Sequence, residues 1–168
     1  MSDTNPQSFW DRKITSWEAG RYELPSNQGI VEYFANKASK SIRFRLDKGM
    51  ELIRPHCNGA RVVEFGCGTG RLAKAIVDAG AIKYTGIDIA PSAIQLAVEN
   101  AKKTGISDRA EFTIGGVNAL GKNIEADIVF SLGLADWLDD EVIRELVEIS
   151  PSANILHTFS ERRATFSQ

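Results

Sequence analysis

Apolar positions recur with two different periods along this 168-residue chain, and the change falls near Asn58. Before it, the spacing is helical. Phe9, Trp10, Ile14 and Trp17 predict a helix from Ser8 to about Gly20. Ile30, Phe34, Ala38, Ile42, Leu46, Met50 and Ile53 recur almost every four residues and predict a longer helix, from about Gln28 to Arg54, that Pro55 ends. After Asn58, short β-branched runs alternate with amphipathic ones. "ARVVEFG", "IKYTGIDIA", "AEFTIG", "ADIVFSLG" and "NILHTF" predict five strands. "GRLAKAIVDAG", "PSAIQLAVENAKKTG" and "DDEVIRELVEIS" predict helices between them. The second helix carries Pro91 in its first turn and Gly105 at its end, and the third opens on acids that suit a positive N-terminus.

Strand and helix alternating at this spacing imply an α/β fold: parallel strands, right-handed crossovers and helices on both faces of the sheet. In such a sheet the ligand lies beyond the carboxyl ends of the strands, near the point where strand order reverses. The pattern divides the chain into an N-terminal helical segment, 1–57, and an α/β domain, 58–168.

Composition narrows the class only modestly. Hydrophobic residues make up 43% and charged residues 25%, with a formal net charge of -2. No global field favours nucleic acid or an anionic membrane. No run approaches the apolar length of a membrane span. The opening "MSDTNPQSFWDRK" has no apolar core, so a cytoplasmic protein is expected. Cys57 and Cys67 are too few for a disulfide scaffold, lack the company of a zinc site, and are read as buried fillers. No metal site is expected.

The chemistry concentrates in "VVEFGCGTGRLA", Val62 to Ala73, where a strand runs into three glycines at alternate positions. A dinucleotide fingerprint would read G-x-G-x-x-G/A. Gly66 and Gly68 match it, but the third position is Arg71, and the glycines instead read Gly66, Gly68, Gly70. Glu64, two residues before the first glycine, disfavours a pyrophosphate and suits a ligand with positive charge. Asp88, at the end of the second strand, can accept hydrogen bonds from both hydroxyls of a ribose. A nucleoside with a cationic group fits both acids, and S-adenosylmethionine is such a molecule.

With these residues in view, the chain resembles the class I S-adenosylmethionine-dependent methyltransferases over about residues 58 to 160. "VVEFGCGTGRLA" looks like the family's first motif, "GIDIAPSAIQLA" like its acidic strand end and "ADIVFSLGLADWL" like its fourth-strand motif. The resemblance implies a Rossmann-like three-layer sandwich with strand order 3-2-1-4-5. It places Glu64, Gly66, Gly68 and Gly70 around the methionine portion, Asp88 on the ribose, Ile89 on adenine, and Ser131 and Leu132 beneath the sulfonium and tail. The family often sets an acid after the third strand to meet the adenine amino group. "TIGGVNAL" has none, so Asn118 or backbone near Val117 takes that role. The N-terminal segment, with Trp10, becomes a lid over the cofactor.

The expected reaction is in-line methyl transfer to a small molecule or lipid-linked metabolite, with no catalytic residue assigned. A nicotinamide-dependent oxidoreductase and a non-catalytic nucleoside-binding module are the alternatives. Other candidates carry two readings each. His157 is either a base near the site or a packed histidine, and Asp136 and Trp137 either line the acceptor pocket or serve the turn. Asp127 and His56 are read as structural or surface residues, and Trp10 and Trp17 as packing residues unless the first forms the lid. Lys37, Lys40, Arg43, Arg45 and Lys48 read as the solvated face of the long helix. The resembled fold has seven strands, whereas only "SERRATFSQ" follows the fifth here. The final strands are therefore expected to be missing, and the chain to be a fragment or to cover or pair its open fifth-strand edge, with self-association as one outcome.

Overall fold

The computed structural model describes residues 5–18 and 43–159, with backbone alone over 13–18. Gln28 to Ile42 of the predicted long helix, with Lys37 and Lys40, the side chain of Trp17 and the tail after Phe159 lie outside the described residues.

Among the described residues five strands form one sheet: β1 (Arg61–Phe65), β2 (Lys83–Asp88), β3 (Ala110–Ile114), β4 (Ile128–Leu132) and β5 (Asn154–Thr158). Their order is β3-β2-β1-β4-β5 and every neighbouring pair is parallel. The chain steps outward from β1 to β3, then returns to lay β4 on the other side of β1. The crevice where order reverses opens at the carboxyl ends of β1 and β4, where the glycine turn begins.

Helices are α1 (Pro6–Glu18), α2 (43–53), α3 (Ala73–Asp78), α4 (Pro91–Thr104) and α5 (Asp140–Glu148). On one face of the sheet, Ile53 of α2, Ile76 and Val77 of α3 and Ala101 of α4 pack on Val62, Tyr84, Ile128 and Phe130. On the other, Leu146 of α5 and Ile149 pack on Val63, Phe65, Ile87 and Val129. That is the three-layer sandwich. No described helix is long and apolar enough to cross a membrane.

Helix ends follow the capping chemistry of the sequence. Gly105 closes α4 in the left-handed conformation at φ 71°. Asp139 accepts a hydrogen bond from the Val142 amide at 3.0 Å and caps α5. Two details differ from the sequence reading. α3 starts at Ala73, not at Gly70, because Gly66, Gly68 and Gly70 all hold positive φ (74°, 54° and 71°) and cannot enter a right-handed helix. Single 3-10 turns also fill Val117–Leu120 and Ala135–Trp137, where the sequence shows no period long enough to announce them.

Candidate functional site

The β1 turn is tied directly to the end of β2. Gly66 and Cys67 donate their amides to the Ile87 carbonyl at 2.8 and 3.0 Å. The Gly68 amide donates to Asp88 Oδ2 at 2.8 Å, and the Ala90 amide donates to Asp88 Oδ1 at 3.0 Å. Asp88 is thus a clasp for the turn. The Ile89 amide also lowers its proton affinity, and an ionised carboxylate has about four acceptor positions, so these amides leave acceptor capacity for a ligand hydroxyl. Gly70 serves a different end. A Cβ there would stand 2.8 Å from the Phe112 ring and 3.2 Å from Ala97, so its role is packing beneath the turn.

Above the turn lies a cavity of about 670 Å³. Its lining includes Glu64, Gly66, Gly68, Asp88, Ile89, Val117, Asn118 and Leu132, so eight of the ten residues expected from sequence meet around it. Gly70 and Ser131 do not line it. Along β4, Ile128, Phe130 and Leu132 belong to the α2 face and Val129 to the α5 face. Ser131 shares the α5 face with Val129 by strand alternation. Its hydroxyl lies 2.9 Å from His157 Nδ1 and the residue is fully buried. The expectation that Ser131 lies beneath the sulfonium is corrected by this placement of its side chain. His157 is likewise off the cavity lining. Burial holds its pKa below the ordinary value, and its Nε2 is buried without a hydrogen-bond partner in the structure.

Two buried acids dominate the electrostatics. Glu64 accepts a hydrogen bond from the Tyr84 hydroxyl at 2.5 Å. Burial, reinforced by the charge of Asp88 and opposed by the Tyr84 bond, lifts its carboxyl from the ordinary 4.5 to about 8. Asp88 is also raised by burial, against the pull of the backbone amides. Neither acid has a basic side chain among its described hydrogen-bond partners. An acid kept in a wall at that cost is suited to a cationic ligand that restores its charge. The donor set therefore fits a ribose on Asp88 and a sulfonium and ammonium near Glu64. Cys67 also lines the cavity, but burial pushes its thiol well up and it is no nucleophile.

The opposite wall was only partly visible in the sequence. Trp10 of α1, Arg45 and Leu46 of α2, and Leu134, Asp136, Trp137, Leu138 and Val142 line it. Arg45 is not on a solvated face: its Nη1 donates to Asp136 Oδ2 at 3.3 Å. Trp10 meets Trp137 edge-on, with ring centroids 4.9 Å apart. Asp11 accepts from the Ser92 amide at 2.8 Å, supplying from α1 a cap for the first turn of α4. Gly115 and Gly116, also in the lining, were missed although the paired glycines after β3 were a usable signal. Asp127 is structural. It accepts from the Arg61 amide at 2.8 Å at the far end of the sheet. His56 is exposed, and both cysteines are buried. Among the described residues no cluster of three or more His, Cys, Asp or Glu could hold a metal ion.

Comparison with known proteins agrees with this geometry. A family model described as a methyltransferase domain matches residues 62–150. The ribosomal protein L11 methyltransferase of Salmonella newport is 54% identical over 54 residues, which are 32% of this chain and 18% of that protein. The match therefore spans less than a fifth of that relative. Magnesium protoporphyrin IX methyltransferase from Synechocystis PCC 6803, solved with S-adenosylhomocysteine, superposes with a TM-score of 0.65 at 18% identity, covering 86% of this chain and 66% of the other. A methyltransferase from Geobacter sulfurreducens in complex with S-adenosylhomocysteine gives 0.51 at 25% identity, covering 60% and 41%. With more than half of its length matched by the family model, and with its glycine turn and its sheet order in place, this chain belongs to the class I S-adenosylmethionine-dependent methyltransferases.

Proposed function

We propose that this chain transfers a methyl group from S-adenosylmethionine to a small-molecule acceptor held in the same cavity. The observation that carries the reading is the pair Glu64 and Asp88, both buried in one cavity wall at the carboxyl ends of β1 and β2, both raised by burial, and both in the lining. When bound, the cofactor supplies an activated methyl group on a sulfonium. The chain supplies position. Asp88 accepts from ribose hydroxyls while keeping the Gly68 amide in place. Glu64 would release its proton to solvent when a cationic group binds and would then balance that charge. Val117, Asn118 and Ile89 flank the base, and Leu132 and Gly133 floor the site beside the acceptor. Positioning alone can account for most of the rate of a displacement whose leaving group is already activated. No general base is needed for an acceptor that is already nucleophilic.

The matched relatives name two kinds of acceptor, a ribosomal protein and a metalloporphyrin. The cavity supports the small one. Its volume falls within the ~300–1,000 Å³ range of small-molecule sites, and Trp10 and Trp137 are in its lining. The test has two stages. S-adenosylhomocysteine should stabilise the chain by about 2.7 kcal/mol at one hundred times its dissociation constant; calorimetry showing no binding at millimolar ligand sinks the reading. Radiolabelled methyl groups should then appear in the small-molecule fraction of a cell extract. Label confined to protein would favour the other acceptor class.

A further inference from the structure

Arg45 lies far in sequence from every motif, yet the fold makes room for it. Gly133 follows β4 at φ 82°, and a Cβ built there would run into Arg45 Nη1. One helical turn along α2, Gly49 allows the helix to approach β4 so closely that a Cβ would stand 2.8 Å from Leu132. Two glycines on two elements thus let the guanidinium cross the end of β4. There it meets Asp136, and both residues line the cavity. The pair is partly exposed, 27% and 21%, and a pair of that kind adds little to stability. Next to it stand Trp10 and Trp137. Trp137 is 58% exposed although it lines a cavity, an unusual position for so large an apolar ring.

We propose that Arg45 anchors a carboxylate of the acceptor, and that the acceptor is a flat aromatic acid lying against Trp10 and Trp137. The proposal rests on the methyl-transfer reading above. A guanidinium matches a carboxylate through a planar fork of donors, which a lysine cannot reproduce. Asp136 is the positioning residue that turns the fork. The reverse arrangement, a cationic acceptor on Asp136, would have to displace Arg45 and then sit beside a cofactor of the same sign. Leu46, Leu134, Leu138 and Val142 complete the wall, and their low polarity strengthens an ion pair formed among them. The indole faces supply area for a ring, and the edge-on contact of Trp10 with Trp137 holds them at an angle.

The experiment is a calorimetric titration of the full chain with naphthoate, naphthamide and naphthylmethylamine, which share a shape and differ in charge. Each titration is run with and without saturating S-adenosylhomocysteine. Naphthoate should bind at least about tenfold tighter than the amide, the least expected of a hydrogen bond to a charged group. Arg45→Gln should bring the two affinities together while cofactor affinity stays within about twofold. Arg45→Lys, which keeps the charge and loses the fork, should retain only part of the preference. Equal binding of naphthoate and naphthamide by the wild-type chain overturns the proposal, as does no binding of naphthoate or a preference for the amine. Failure of S-adenosylhomocysteine to bind would strike the methyl-transfer reading instead, and the titrations without it still judge Arg45.

Discussion

The two ends of β1 carry acids in opposite circumstances. At the amino end, Arg61 pairs with Glu125 at 2.7 Å and with Asp127 at 3.4 Å, all partly open to solvent. Hydrogen bonds from the Arg61 amide and side chain hold the Asp127 carboxyl below its ordinary value. At the carboxyl end, Glu64 and Asp88 are buried and raised. The same strand thus ends once in acids that fold comfortably and once in acids that the fold bears at a loss. A loss of that kind, set in a cavity wall, is what a binding site for a cation costs. The acids of the comfortable end line a smaller cavity of about 370 Å³, but both are paired with Arg61, and that end belongs to the scaffold.

Four substitutions test that contrast. The largest effect is expected from pH. Glu64 ionises at its ordinary 4.5 in the unfolded chain and at about 8 in the folded one. Between those values the folded state holds the extra proton, so stability falls as pH rises through the window. Each tenfold in proton affinity is worth about 1.4 kcal/mol, which puts the whole loss on the order of 5 kcal/mol. Glu64→Gln should remove that slope, read by chemical denaturation at pH 5 and pH 8. Parallel slopes for mutant and wild type would mean that Glu64 is ionised throughout.

Asp88→Ala comes next. It removes the ribose acceptor and frees the Gly68 amide, so S-adenosylhomocysteine should bind about a hundredfold more weakly, a loss of about 3 kcal/mol if two hydrogen bonds to a charged group go. Calorimetry reads it directly, and unchanged affinity would make Asp88 a turn clasp only. Gly133→Ala should cost about 1–2 kcal/mol, because a non-glycine residue at φ 82° is strained and its Cβ meets Arg45. Its melting temperature should fall while Arg45→Gln on the same background recovers part of the loss. The smallest effect is expected from Asp127→Asn, below about 1 kcal/mol. Its pH signature is opposite to that of Glu64. The depressed carboxyl stabilises the fold above its unfolded pKa, and the gain is lost as pH falls through the folded value. Cofactor affinity should not change. A large loss of binding in this variant would break the separation of the two ends.

The part of the cavity built from the glycine turn and Asp88 was legible because its signals are local. Val62 to Ala73 and Asp88 lie on adjacent strands joined by one helix, and three glycines with positive φ announce a backbone turn whatever surrounds them. Ser131 was misplaced although the period was visible. Leu132 packs on the α2 face, so its neighbour in a strand must point to the α5 face. Arg45 could not be found this way. It stands 91 positions from Asp136 and among basic residues that look like any solvated helix face. Trp10 was considered for a lid, but its partner Trp137 follows β4, far along the chain.

By itself the sequence determined the alternation of strand and helix, the turn and the presence of an acid at each of two strand ends, because backbone conformation and periodicity are set by residues near one another in the chain; the strand order was implied only by the family resemblance. Only the tertiary structure decided that Glu64 is buried beside Tyr84, that Asp127 is solvated beside Arg61, and that Arg45 crosses Gly133 to the cavity. Burial and charge pairing depend on groups brought together from distant segments, and the proton affinity of an acid follows from that company, not from its place in the sequence.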